Sequence, residues 1–244
     1  MTTATSTVRE SDRPPQAARL ADRVNDSIGW LLSIALVVPA FWLLMKVFNR
    51  TTVRGKHHLQ TAPLPLMFVF NHVSILDDAF VDVLVFAPRA LHDRKFLPYH
   101  VPEERNFFKG PVMSWFMRRV RCIPIRRGEG VHQPAVERAI EILRHGGCVH
   151  VAPEGTRTRS GKLMPGKAGV GRVLYETGAT VVPCFHRGMG DILPIGARFP
   201  RFGQRAEIIV GPPFRVDQFL SLPNTRDTWQ RIADHVMERI AALE

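Results

Sequence analysis

The first long apolar run is Ile28–Met45, eighteen residues without a charge, carrying Trp30 and Trp42 and closed by Lys46. That length is at the lower edge of what crosses a bilayer. It predicts a short spanning helix, or one lying in the interface with its indoles at headgroup depth. A buried core helix is the third reading, and Pro39 predicts a kink. From about Thr51, short apolar runs alternate with amphipathic stretches. Leu66–Phe70, Lys95–Leu97, Cys122–Ile125, Cys148–Val151, Thr180–Cys184 and Ala206–Val210 read as strands. Val136, Ala139, Ile140 and Leu143 repeat at helical spacing between Pro134 and Gly146-Gly147, and Trp229, Ile232, Ala233, Val236, Ile240 and Leu243 mark a closing helix. Strands alternating with helices predict an α/β fold, with a mixed, largely parallel sheet flanked by helices and an N-terminal apolar membrane-associated helix. The expected division is a mobile polar tail over 1–26, the membrane-associated helix over 27–50 and the α/β domain over 51–244. The late apolar run, with no small-residue cleavage site after it, does not read as a secretory signal.

Composition narrows the partners. With 45% hydrophobic and 23% charged residues, the 244-residue chain can bury a real core. A mean hydropathy of −0.05 excludes a polytopic membrane protein. Cys122, Cys148 and Cys184 are odd in number and lack metal-ligand spacing, so they predict small core residues in a reducing, cytoplasmic setting. Lys+Arg number 33 against 22 Asp+Glu, a net charge of +11, and the partner is expected to be anionic. Ten basic residues fall between Arg89 and Arg127 against only Asp93, Glu103 and Glu104. No zinc-finger spacing, helix-turn-helix pattern or RNA-binding aromatic signature is present. Nucleic acid is therefore set aside in favour of a membrane surface or a phosphorylated substrate.

The chemistry concentrates after the predicted strands, where sites form in such sheets. Asn71-His72-Val73-Ser74-Ile75-Leu76-Asp77-Asp78 follows Leu66–Phe70. On one regular helix His72 and Asp77 would point about 140° apart. They converge only if His72 lies in the loop and Asp77 in the first turn of the next helix. Asp77 would then fix the imidazole tautomer and leave the other nitrogen to take a proton from a hydroxyl. Asp78 competes for that role, and Ser74 reads as a helix cap rather than a nucleophile. Pro153-Glu154-Gly155-Thr156-Arg157 follows Cys148–Val151, and Arg126-Arg127 follows Cys122–Ile125. Guanidinium groups at strand ends suit bidentate phosphate recognition. His57, His58, His100, His132 and His150 read as surface or packing residues, while His186 is a candidate for the neighbourhood of the site.

Taken in order, Asn71-His72-x4-Asp77, Arg127 after a short strand, Glu154-Gly155-Thr156-Arg157 and Pro183 after Val181-Val182 resemble the four blocks of the glycerophospholipid acyltransferases, the lysophosphatidic acid acyltransferase superfamily. Within it, Cys122–Gln133, His186–Pro194 and Pro200–Gln204 are similar to the tafazzin branch, whereas Thr156-Arg157 matches the acyl-CoA-using members. The resemblance implies an enzyme that acylates the free hydroxyl of a lysophospholipid, with an intact phospholipid as the favoured donor and acyl-CoA as the alternative; a lipid hydrolase and an inactive lipid-binding protein are the remaining readings. It implies His72 as general base and Asp77 as its orienting carboxylate. Arg127, Glu154, Gly155, Thr156 and Arg157 are implied as acceptor-binding positions, with Lys167 in a phosphate or support role and Pro183 in the pocket wall. No metal and no cofactor is implied beyond acyl-CoA as a possible substrate.

Overall fold

The computed structural model describes residues 27–244, and the polar tail expected over 1–26 lies outside the described residues. Six strands form one sheet: β1 (Arg50–Arg54), β2 (Leu66–Phe70), β3 (Tyr99–His100), β4 (Cys148–Val151), β5 (Thr180–Arg187) and β6 (Arg205–Val210). Their order is β1-β6-β5-β2-β4-β3. Every neighbouring pair is parallel except β5 and β6. The mixed, largely parallel sheet is thus the one the alternating pattern predicted. All five residues of β2 are buried, as a central strand covered on both faces requires.

Helices cover both faces. On one side lie α1 (Ser27–Phe48) and α2 (Asp77–Val85), and Phe41 of α1 meets Phe80 of α2 at 5.9 Å between ring centroids. After α3 (Gly110–Arg119) comes the amphipathic α4 (Pro134–Arg144), which buries Val136, Ala139, Ile140 and Leu143 on the opposite side. There α5 (Ala168–Thr177) and α6 (Arg226–Ala241) complete the layer. These two helices cross closely at Gly171, where an added Cβ would lie 1.8 Å from the Trp229 carbonyl oxygen.

Two expected strands are corrected, and one strand was not expected. Lys95–Leu97 is not a strand: Asp93 accepts a hydrogen bond from the Lys95 N–H and sets a 3-10 turn over Arg94–Phe96. Cys122–Ile125 makes only isolated parallel bridges, His100 to Cys122 and Glu103 to Ile125, with Pro124 between them unable to donate. Strand β1 was missed, because Arg50 and Arg54 bracket only one strongly apolar residue, Val53.

Helix α1 continues on both sides of Pro39, the position at which a kink was expected. A π-type turn over Ser33–Val37 precedes the proline, and the Val38 N–H reaches the Ser33 carbonyl five residues back. The helix is docked along one side. Its Trp30 Nε1 donates to the Ala90 carbonyl at 2.9 Å, and Met45 is fully buried. Its other side carries Leu31, Leu36, Trp42 and Val47 exposed. A core helix would not leave this face bare.

Candidate active site

The loops that leave β2 and β4 lie side by side, because these strands are parallel neighbours with Leu66 opposite Cys148. The first loop carries His72. Its Nδ1 is 2.9 Å from Asp77 Oδ2, and Asp77 is the first residue of α2. The same oxygen accepts the N–H groups of Val73 at 2.7 Å and Ser74 at 2.8 Å. Asp77 is fully buried, so its position is set by these three contacts and the start of the helix. In a neutral ring, Nδ1 is the nitrogen that donates to this carboxylate, which leaves Nε2 as the acceptor. The loop-and-first-turn placement argued from spacing is the one found.

Around this pair the packing is tight. Asn71 donates from Nδ2 to the His186 carbonyl and accepts the His186 N–H through Oδ1, tying the end of β2 to β5. The His186 Nε2 lies 3.8 Å from Asp77 Oδ2, which puts this histidine beside the site. Burial pushes its pKa down, against the opposing pull of Asp77. Ser74 is buried and its hydroxyl donates to the Leu193 carbonyl, so it serves packing rather than attack.

The second loop brings a correction. Glu154 was expected to bind substrate, yet it is buried and both carboxylate oxygens are engaged by backbone. Oε1 accepts the His72 N–H at 2.8 Å and Oε2 the Met164 N–H at 3.0 Å. Burial raises its pKa, partly offset by these same hydrogen bonds. The side chain holds the two loops together. Neither Glu154 nor Thr156 lines the adjoining cavity, and Pro183 is buried within β5 away from it.

That cavity has a volume of about 570 Å³. His72, Arg127, Gly155, Arg157 and Lys167 stand on its wall, while Met67, Ile75, Phe107, Val136, Val149 and Val170 give it an apolar remainder. Gly155 is needed here in a specific sense. Its φ is +64° and an added Cβ would sit 3.0–3.2 Å from the Lys167 side chain, which lies across it. Arg127 is paired with Glu103 at 2.5 Å. Among the described residues, neither Arg157 nor Lys167 has an acidic partner. The Arg157 pKa is lowered by burial first and then by the neighbouring charge of Arg127. Arg157 is half-buried, Arg127 and Lys167 are exposed, and together they put positive charge on the cavity wall.

Behind the pair lies a second group, whose two histidines the sequence offered only as surface or packing residues. His100 and His150 meet Asp82 and Asp78 on the face of α2. Burial works to raise the Asp78 pKa, but the His100 contact and the His150, His100 and His72 charges outweigh it and hold it at about 2. Desolvation opposes charge on His100, yet Asp82 and Asp78 leave its pKa raised. The i,i+4 spacing of Asp78 and Asp82 was the available signal. The two histidines come from different strands, and no local motif joins them to it.

A histidine held by a carboxylate at the end of a parallel strand thus stands beside a cationic wall and an apolar cavity. Residues 50–187 match the Acyltransferase family, and the chain belongs to it. It is 30% identical over 163 residues to the chloroplastic 1-acyl-sn-glycerol-3-phosphate acyltransferase of Brassica napus, covering 66% of this chain and 44% of that protein. It is 31% identical over 199 residues to Taffazin of Dictyostelium discoideum, covering 76% of this chain and 68% of that protein. The chain thus spans under half the length of the Brassica enzyme. In fold it resembles the crystal structure of the 1-acyl-sn-glycerophosphate acyltransferase PlsC from Thermotoga maritima, with a TM-score of 0.60 and 21% identity over 96% of this chain and 84% of that one.

Proposed function

We propose that the protein is an O-acyltransferase that acylates the free hydroxyl of a lysophospholipid, taking the acyl chain from an intact phospholipid as in tafazzin-like remodelling. The observation that carries this reading is the shared cavity, where the free Nε2 side of His72, the cations Arg127, Arg157 and Lys167, and an apolar remainder meet. The cations hold the acceptor phosphate and place its hydroxyl at His72, which converts an encounter into a positioned step. His72 Nε2 removes the hydroxyl proton as the oxygen attacks the donor's acyl carbonyl. The tetrahedral intermediate collapses, the new ester forms and the old acyl–oxygen bond breaks. The departing lysophospholipid oxygen takes the proton back from His72, and Asp77 stabilises the imidazolium in between.

The bare apolar side of α1 and the net charge of +11 support attachment to an anionic membrane surface. Three free cysteines support a domain facing the cytoplasm. A second reading, acyl-CoA as donor, is favoured by Arg157 on the cavity wall and by the likeness to the Brassica enzyme. His72 serves an ester or a thioester alike.

The test uses purified full-length protein and labelled lysophospholipid in detergent–lipid mixtures, once with acyl-CoA and once with phospholipid alone. CoA-free transfer, lowered roughly 10²–10⁴-fold in His72→Ala, is the expected result. Label that moves only with acyl-CoA replaces the donor, and a folded His72→Ala protein of near wild-type activity removes the mechanism.

A further inference from the structure

Three side chains from three elements converge beneath α2: Asp82 from the helix, His100 from β3 and His150 from β4. His100 and His150 face each other in the parallel β3–β4 register, with ring centroids 5.6 Å apart. Asp82 Oδ1 is 2.7 Å from His150 Nδ1, and Asp82 Oδ2 is 3.4 Å from His100 Nε2. One ligand atom from each of the three lies within 4.8 Å of the others. His150 is fully buried, yet neither of its ring nitrogens has a hydrogen-bond partner, and neither carboxylate oxygen of Asp82 has one. Carboxylate and imidazole this close without aligned hydrogen bonds are an unfavourable way to bury polar groups, and one that an ion at their centre would relieve.

We propose that Asp82, His100 and His150 form a binding site for one divalent metal ion of the zinc class. Two imidazoles and a carboxylate are a zinc donor set, which three protein ligands leave open at the fourth position. The surroundings fit. His100 turns its other nitrogen, Nδ1, toward Asp78 Oδ2 at 3.5 Å, too far off line for a hydrogen bond as it stands but near enough for that carboxylate to orient a ligating histidine. His150 and Asp78 both line the cavity that holds His72, so the cluster borders that space. The site is nonetheless separate from the base, because the Phe70 ring stands 4.2 Å from His150 and 6.0 Å from His72. It goes beyond the metal-free reading of the sequence, and it does not rest on acyl transfer.

The experiment titrates untagged, chelator-treated full-length protein with zinc chloride in a calorimeter, with no lipid present. One ion per chain at micromolar affinity or tighter is expected. Asp82→Asn and His150→Gln should abolish this binding, Asp78→Asn should weaken it roughly 10–100-fold, and the exposed His132→Ala should leave it intact. Saturable binding that survives Asp82→Asn and His150→Gln in proteins of native circular dichroism overturns the site, as does no binding to wild type. Should those variants not fold, X-ray absorption of the zinc-loaded wild type decides. Nitrogen and oxygen ligands at about 2.0–2.2 Å support the proposal, and sulfur at about 2.3 Å, from the cysteines, overturns it.

Discussion

Glu154 and Arg157 are three residues apart in one loop, and their side chains do different work. Glu154 accepts two backbone N–H groups in a buried position, so Glu154→Gln turns an amide donor toward one of them. The expected result is a loss of about 1–3 kcal/mol in folding stability, read as a lower melting temperature. Arg157 has no such internal duty and stands on the cavity wall. Arg157→Ala should raise the KM for a phosphate-bearing acceptor more than Arg157→Lys, which keeps the charge and loses the fork. Equal KM values in both variants and wild type would move the anion role to Lys167 and Arg127. A motif shows which residues travel together without showing which face solvent. His72 and Asp77 could be placed from spacing because a helix start fixes their geometry. Glu154 was misread because its partners are main-chain groups of His72 and Met164, eighty-two positions upstream and ten downstream, and backbone partners leave no trace in residue type.

At the level of elements, strands buried on both faces were legible and edge structure was not. Leu66–Phe70 and Cys148–Val151 were read correctly because continuous apolar runs mark central strands. Arg50–Arg54 and Tyr99–His100 lie at the two edges of the sheet, where one side is free and the apolar signal thins. The helix α1 was legible in extent, and its docking was not, because Trp30 bonds a carbonyl sixty positions away. Its two-sidedness yields a prediction. Full-length protein should remain on anionic vesicles in high salt, since apolar burial is insensitive to screening. Removing residues 1–46 should release much of it while circular dichroism still reports the α/β domain. Complete extraction of the full-length protein by salt in a flotation assay would show that α1 does not insert.

For the whole molecule, the sheet divides two apolar clusters, one under α1 and α2 and one under α4, α5 and α6. Cys148 and Cys184 are fully buried in the first, and burial drives both thiols well above their ordinary pKa. Cys122 is partly exposed but its thiol is also pushed up by burial. Thiolate is the reactive form. At neutral pH the native protein should therefore take up at most one equivalent of a thiol reagent, slowly, and three in denaturant, counted by mass spectrometry. Rapid uptake of two would mean that the sheet opens without global unfolding. One further property follows from how the two site loops are joined. The peptide of His72 is held at both ends by the neighbouring loop, its N–H by Glu154 and its carbonyl by the Thr158 N–H at 2.8 Å. A shift of the Arg157 segment on taking up a phosphate would therefore be passed to His72 through these two hydrogen bonds. An alcohol that fills the cavity but brings no phosphate would leave this coupling unused and its own hydroxyl unplaced against His72. Such an acceptor, a monoacylglycerol for instance, should saturate the enzyme and still turn over roughly tenfold more slowly or worse, a deficit in kcat rather than in KM alone. An unchanged kcat with only a weaker KM would show that the two loops keep separate time.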